Sequence, residues 1–514
     1  MRVSTRSLDR IFRRRGLWQV KSLEQKIKDL FKDGSQGVWY DPSDLTTLFQ
    51  DSAGTTPVTA LEQSVGLILD KSKGLVLGPE LVTNGTFDAN VNGWTAYSAA
   101  AGGIISWSAG AMIVSNNGGT YARGTSPIST VAGRVYLLTV QVTNVTALAT
   151  IRATTVADAS SGYLATKVSA GVGSHQLIFT ATGTTTYVAL YVEATGANTA
   201  TFDSVSVKEL PGNHAYQPTS TSRAVLSRRV NLLLATETLA TQSVTTQATS
   251  YNLRFGGTGS VALSGTATGT YSAGSHTITC TAGSLTVTVS GSVTTAMLIP
   301  NDLAALPYQR VTTLTDYDSD SSKFPTFLRT DGVDDGYVTN AIDFSATDKM
   351  FVGVGVRKLS DAATGTVVES YDPATPSGRT FGIRAPFSAA ANLSFGLTQD
   401  GANYAVGAAS PFAAPRSMVA SGLFDWAQST NATRVLGRVD GAQQTLSFAS
   451  SVGTLTSGNF ASRKLYLFAR GGTSLPFNGE YYGGVIVGKA LTAAQIRNVE
   501  LYLAKATKTV SIPA

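Results

Sequence analysis

Apolar and polar side chains alternate along much of this chain. Residues 135–142, 176–181 and 187–193 each read as strands with one face toward a core. Residues 276–289 alternate on both sides of Ala282-Gly283, which predicts a hairpin. Two stretches follow a helical period instead. Val20, Leu23, Ile27, Leu30 and Phe31 share one helix face, Glu24 and Lys28 can pair across a turn, and Gly34 can end the helix. Near the other end, Ile496, Val499 and Leu503 recur at helical spacing. Thr492 and Gln495 make a capping box ahead of them, and Leu491 with Ile496 makes a hydrophobic staple. The pattern predicts a mainly β chain: an N-terminal α-helical anchor followed by tandem β-sandwich domains.

Length adds that one core is not enough. The chain has 514 residues, and single cores stop growing near about 250–300. Only 14% of residues are charged and 51 are glycine, in keeping with many short strands and turns. The formal charge of +6 sits entirely in residues 1–33, which hold ten basic side chains, Arg13, Arg14 and Arg15 among them, against four acidic ones. The rest of the chain balances at 29 of each sign, so a basic leading segment precedes a neutral body. The single cysteine, Cys280, excludes an intrachain disulfide and falls in a strand pattern that predicts an apolar, half-buried role. His175, His214 and His276 share no ligand spacing, which argues against a histidine metal centre. No run approaches the roughly 20 apolar residues of a membrane span. Arg13–Arg15 interrupts any secretory apolar region after Ile11-Phe12.

Shifts in composition divide the chain into a basic amphipathic helical anchor (1–34), an adaptor (35–78), a first β-domain (79–210), a linker (211–230), a small β-module (231–300) and a last domain with a C-terminal helix (301–514). Residues 37–58, opening Gly37-Val38-Trp39-Tyr40-Asp41-Pro42, resemble with residues 65–72 a segment shared by tailed-bacteriophage virion proteins. Residues 80–88, Glu80-Leu81-Val82-Thr83-Asn84-Gly85-Thr86-Phe87-Asp88, precede Gly93-Trp94, and residues 202–207 close the same unit. Together they resemble the galactose-binding-like jelly roll of carbohydrate-binding modules. Residues 327–338 resemble the early hairpin of concanavalin-A-like (laminin-G-like) jelly-roll lectin domains, and residues 476–496 resemble their last strand and helix.

These resemblances imply recognition, not catalysis. Aromatics that could stack on sugar rings, where they are exposed, are Trp94, Tyr97 and Trp107 in the first domain and Tyr404, Trp426, Tyr481 and Tyr482 in the last; most aromatics of a β-sandwich fill its core, and the place of Trp94 beside the opening strand predicts that role for it. Glu80 or Asp88 with Asp203 match the positions of a structural calcium in galactose-binding-like modules; no other cofactor is expected. Val20, Leu23, Ile27, Leu30 and Phe31, with Arg13, Arg14 and Arg15, are the surface expected to dock on other virion subunits; packing of that helix on its own protein is the competing reading. Asp331, Asp334 and Asp335 read first as turn formers, since a glycan hydrolase needs two carboxylates facing each other about 5–9.5 Å apart. All three histidines precede residue 301, which excludes a Ser-His-Asp triad confined to the last domain.

The resulting expectation is a non-enzymatic virion protein made in the host cytoplasm. It would be a tail-fibre or appendage subunit, homotrimeric by resemblance, docking by its N-terminus and binding host surface polysaccharide. Neither nucleic-acid binding nor membrane insertion is expected. A head or neck decoration protein and a glycan hydrolase are the alternatives.

Overall fold

Strand Gly479–Val487 is buried at every residue. A strand with one wet face would alternate; this one is covered on both. The computed structural model describes residues 21–98, 104–117, 120–192, 196–371, 378–400 and 403–513. Arg13, Arg14, Arg15 and Val20 lie outside them. Gly479–Val487 sits within an eight-stranded antiparallel sheet. The order is Val225–Ser227, Phe327–Arg329, Gly479–Val487, Lys349–Lys358, Arg416–Asp425, Val435–Val439 and Ala442–Gln443. Gly37–Tyr40 pairs with the far end of Gly479–Val487, Gly37 opposite Val487 and Tyr40 opposite Gly484.

The inner face of this sheet packs on an eleven-stranded one. Its path runs Leu48–Phe49, Leu67–Ile68, Ala215–Tyr216, Tyr337–Val338, Ser462–Leu467, Thr366–Tyr371, Thr380–Arg384, Leu393–Thr398, Tyr404–Ala409 and Ser447–Val452, with Ile342–Asp343 beside Ser462–Leu467. Val354, Phe381, Phe395, Phe424, Leu465, Tyr481 and Ile486 are among the residues filling the space between the sheets. The outer face of the eight-stranded sheet is covered by helix Ala493–Thr507, through Ile496, Val499 and Leu503 against Phe351, Val419, Val485 and Val487. Thr492 and Gln495 cap that helix reciprocally, as their spacing predicts: Thr492 Oγ1 accepts from the Gln495 amide and Gln495 Oε1 accepts from the Thr492 amide.

The N-terminal helix, Leu23–Asp29, joins the same layer. Ile27, Leu30 and Phe31 are buried against Trp39, Val487 and the C-terminal helix. The reading of this face as a docking surface is therefore corrected: packing within the chain has consumed it. Leu23 is half-buried.

The proposed adaptor and linker are corrected too. Gly37–Tyr40, Leu48–Phe49 and Leu67–Ile68 come from residues 35–78, and Ala215–Tyr216 and Val225–Ser227 from residues 211–230, yet all five are strands of this one sandwich. The close approach is visible at Gly37, where a Cβ would lie 2.0 Å from the Ile486 carbonyl oxygen. Two other units are inserted into the sandwich as loops would be. The first is itself a sandwich. One sheet runs Gly173–Thr180, Val135–Val145, Ala197–Glu209, Ala111–Asn117, Ile104–Ser108, and the other Tyr163–Ala170, Ala149–Thr154, Thr185–Val192, Ala122–Ser129, Thr95–Ser98. Its core holds Phe87, Trp94, Leu138, Ile151, Leu190 and Phe202.

The second insert is a five-stranded sheet around the long strand Thr249–Gly265. Here the expected hairpin is not made. Gly269–Cys280 pairs with one edge of Thr249–Gly265, while Gly283–Ser290 and Val293–Pro300 share the other. Alternation specifies a face but not a partner, so this arrangement cannot be read locally. Cys280 is buried in that module's core. Residues 327–338 likewise form a corner in place of a hairpin, since Phe327–Arg329 belongs to the eight-stranded sheet and Tyr337–Val338 to the eleven-stranded one.

Candidate functional site

Three cross-strand pairs define one row on the outer face of the eleven-stranded sheet: Glu369 opposite Gly382, Gly382 opposite Gly396, and Gly396 opposite Val406. Two glycines side by side leave a gap in the layer of side chains. A Cβ at Gly382 would lie 3.2 Å from Glu369 Cβ, and one at Gly396 3.2 Å from Val406 Cγ2. Interior strand glycines weaken a sheet and commonly mark close approach by another molecule. Two residues along the strands in one direction is Arg384; two in the other is the row Thr380, Thr398, Tyr404. With Tyr371, Phe387 and Arg470 these residues enclose a groove of about 430 Å³.

The charges in the groove are unbalanced at one end. Glu369 is 4% exposed. Its Oε2 accepts a hydrogen bond from Arg470 Nε at 3.2 Å and lies 4.0 Å from Arg384 Nη2. Its Oε1 accepts no hydrogen bond among the described residues. Burial pushes the Glu369 carboxyl above its ordinary range, with Arg470 and Arg384 opposing that shift. Burial and the like charge of Arg470 pull Arg384 down to about 10, against the attraction of Glu369. Arg470 also lies 6.0 Å over the Tyr371 ring, and Arg384 5.8 Å over Phe387. Asp400 stands beyond Thr398, at the Tyr404 end. Asn403 donates to both of its oxygens, at 3.0 and 3.1 Å from Nδ2 and 2.7 Å from the backbone amide.

Of the aromatics singled out in the sequence, Tyr404 is half-buried and lines this groove. Trp426, Tyr481 and Tyr482 are buried to within 1% and unavailable to a ligand. Trp426 packs edge-on against Phe460, Tyr481 against Phe468, and Tyr482 against Phe327 while donating to Glu480 Oε2 at 2.7 Å. Trp94 is also core, 5.5 Å from the Phe87 ring. Trp107 is 44% exposed, with its Nε1 held by the Phe87 carbonyl. Tyr97 is half-buried and pairs across to Arg123, which pairs to Tyr191. That row, with Arg152 and Tyr163 near it, carries stacked arginines and tyrosines. Residues 158–159 fold over it, the Ala159 carbonyl accepting from Tyr191 and the Asp158 carbonyl from Arg123.

Glu80, Asp88 and Asp203 are not brought into one group; among the described residues the one such cluster is Asp331, Asp334 and Asp335. Glu80 instead ties the segment that opens its domain to the last strand, Ala197–Glu209: it accepts from the amides of Leu81, Val82 and Val207 and from Ser206 Oγ. Asp88 accepts from Thr86, and Asp203 from the Ser204 amide. The Asp331 cluster does turn work, with Asp331 Oδ1 accepting from the amides of Val333 and Asp334 and Asp335 Oδ2 from the Asp331 amide.

Sequence reasoning missed Tyr371, Phe387, Glu369, Arg384 and Arg470. The one signal it offered was a pair of strands each carrying a mid-strand glycine, Gly382 and Gly396, and only the register shows that these meet.

No family model matches this chain, and no curated protein matches it. Solved structures do match in part. One described as "CBM4 structure and function" is covered over 99% of its length by 25% of this chain, at 15% identity and a TM-score of 0.21. The Ruminococcus gnavus IT-sialidase CBM40 is covered over 84% by 31% of this chain, at 13% identity and 0.24. The binding domain of botulinum neurotoxin serotype G is covered over 44%, less than half its length, by 36% of this chain, at 9% identity and 0.27. The β-sandwich architecture stands on the strand pairings above.

Proposed function

We propose that this chain is a binding protein, a subunit of a tailed-phage appendage that holds host surface glycan in the groove across Thr366–Tyr371, Thr380–Arg384, Leu393–Thr398 and Tyr404–Ala409. The groove itself carries the binding half of this reading. It combines a glycine-opened floor, three aromatic rings and charged groups within one cavity. A sugar ring presents an apolar face to an aromatic and a hydroxyl rim to charged and amide groups. Such sites are weak singly and gain through copy number; a homotrimer is the assembly that the sequence resemblance implies. Binding without turnover suits the deepest carboxylate, Glu369, which is tied to Arg470.

The virion half is supported by the resemblance of residues 37–58 and 65–72 to a phage virion segment. Because Ile27, Leu30 and Phe31 are spent inside the chain, we assign docking on other virion subunits to residues before Lys21, with Arg13, Arg14 and Arg15 supplying charge. A structural calcium near Glu80 remains a proposal of the sequence, to be tested by the effect of a chelator on melting temperature.

Titration of the full chain with host surface oligosaccharides tests the groove. Tyr404→Ala should weaken binding about tenfold, the worth of roughly 1.4 kcal/mol of ring contact. Absence of binding by a multivalent form would favour a decoration protein, and release of new reducing ends would make it a hydrolase. Removal of residues 1–20 should leave the melting temperature unchanged and empty the virion of this subunit. Normal incorporation would sink the docking assignment.

A further inference from the structure

We propose that the ligand of this groove is an acidic saccharide whose carboxylate is received by Arg384, with Arg470 beside it. The inference rests on the glycan reading above and adds the chemical class of the ligand. Three observations carry it.

First, the Arg384 guanidinium is without a hydrogen-bond acceptor. Its side chain is 16% exposed. Among the described residues none accepts from it, and Nε is buried and unpartnered. A guanidinium offers five donors in a planar fork, and a buried Nε–H left without an acceptor is costly. An occupant that supplies acceptors in one plane removes that cost.

Second, two cations share one anion. Arg470 holds Glu369 at 3.2 Å, and Arg384 stands off at 4.0 Å from the same oxygen. Among the described residues the Arg384 end of the groove therefore has an excess of positive charge, and Arg470 adds to burial in depressing Arg384. Asp400 does not cancel it. It follows Thr398 at the opposite end, and Thr380 and Arg384 are four strand positions apart, about 13 Å at ~3.3 Å per residue. Its oxygens are also occupied by Asn403.

Third, Arg384 stands on the groove face of its strand and lines the cavity. Arg384, Gly382 and Thr380 share the groove face, while Phe381 and Ile383 between them point into the core between the sheets. A carboxylate accepts two parallel N–H bonds from such a fork. A sugar ring lying over Gly382 and Gly396 would turn its apolar face to that glycine floor, direct its acid group toward Arg384 and lead the next ring of the saccharide toward Tyr404.

The test is a printed array of sugar-acid oligosaccharides, each beside its carboxyl-reduced counterpart, together with sulfated oligomers of matched length. Binding of the full chain is read at two salt concentrations. Acidic forms should bind about tenfold or more tightly than their reduced partners, and the preference should shrink as salt rises. Arg384→Gln should erase the preference; Arg384→Lys, which keeps the charge facing Glu369 at 4.0 Å, should keep the melting temperature and restore only part of the preference. Equal binding of acidic and reduced forms overturns this inference and leaves the glycan reading standing. A sulfated form outcompeting every carboxylate overturns the carboxylate assignment. Binding of no saccharide removes both readings.

Discussion

The Trp39 indole nitrogen donates to the Tyr502 hydroxyl at 3.2 Å, joining residues 463 positions apart. Tyr502 in turn donates to Asp41 at 2.7 Å, and Lys71 bonds Asp41 at 3.0 Å while lying 4.7 Å over the Trp39 ring. An early strand and the last helix thus close one sandwich. Trp39 is fully buried, so Trp39→Ala should cost about 3–5 kcal/mol in urea unfolding. Residues 301–514 expressed alone should lack cooperative melting, since five strands of their sandwich come from earlier in the chain. Residues 79–210 alone should melt cooperatively, having both their own sheets and their own core. A well-folded 301–514 fragment would refute the interlaced topology.

Glu500 is a second closure. On the C-terminal helix, it accepts from Arg438 Nε at 2.7 Å and from Ser421 Oγ at 2.7 Å, and its side chain is 1% exposed. Removing one partner of a buried pair strands the other charge. Glu500→Ala should destabilise the sandwich by about 3–5 kcal/mol in denaturant titration, and Glu500→Ala with Arg438→Met should recover part of the loss.

His214 and Asp335 oppose each other across mildly acid pH. His214 Nδ1 accepts from the Asp70 amide at 2.9 Å and Nε2 faces the Leu210 carbonyl, so the folded ring is neutral with its proton on Nε2. Burial lowers its pKa, with Asp70 opposing. Below the ordinary value of 6.5 the unfolded chain binds more protons than the fold, so His214 contributes falling stability as pH drops. Nitrogen chemical shifts should show a neutral His214 at pH 6; a protonated ring there would contradict its burial.

Asp335 runs the other way. Burial pushes its carboxyl up from 3.8 to about 6, helped by the charges of Asp331 and Asp334. Its contribution is fully present below 3.8 and is lost as pH rises through about 6. Asp335→Asn keeps an acceptor for the Asp331 amide without the buried charge. It should raise stability by about 1–2 kcal/mol at pH 7.5 and change little at pH 3.5.

Gly396→Leu should close the groove. Its side chain would project beside Val406 Cγ2, 3.2 Å from the new Cβ. Saccharide binding should fall by about tenfold or more with the fold retained by circular dichroism; unchanged binding would place the ligand elsewhere.

Some of this was legible in the residues. Thr492 and Gln495 announced a capped helix because a cap needs only neighbours in sequence, and Tyr404 was picked out as an aromatic able to stack. Trp426, Tyr481 and Tyr482 misled for one reason: an aromatic in a strand pattern is the same whether water or a second layer lies over it. Gly479–Val487 is covered by a sheet on one side and by helices and the second insert on the other. Glu369, Arg384 and Arg470 carry no motif, being 15 and 86 residues apart along the chain; the pairing of Thr366–Tyr371 with Thr380–Arg384, and the turn that follows Ser462–Leu467, gather them.

From residues alone came the β class, the two helices, the cationic front and the neutral body, all set by side-chain period and charge over a few neighbours. Folding decided which strands meet. Leu48–Phe49, Leu67–Ile68 and Ala215–Tyr216 are two residues each, too short to show any period, and they become strands only because a distant partner satisfies their amides and carbonyls. The same long-range pairing sets Gly382 against Gly396 and opens the groove, because a missing side chain makes a cavity only when its neighbour across the ladder is missing too.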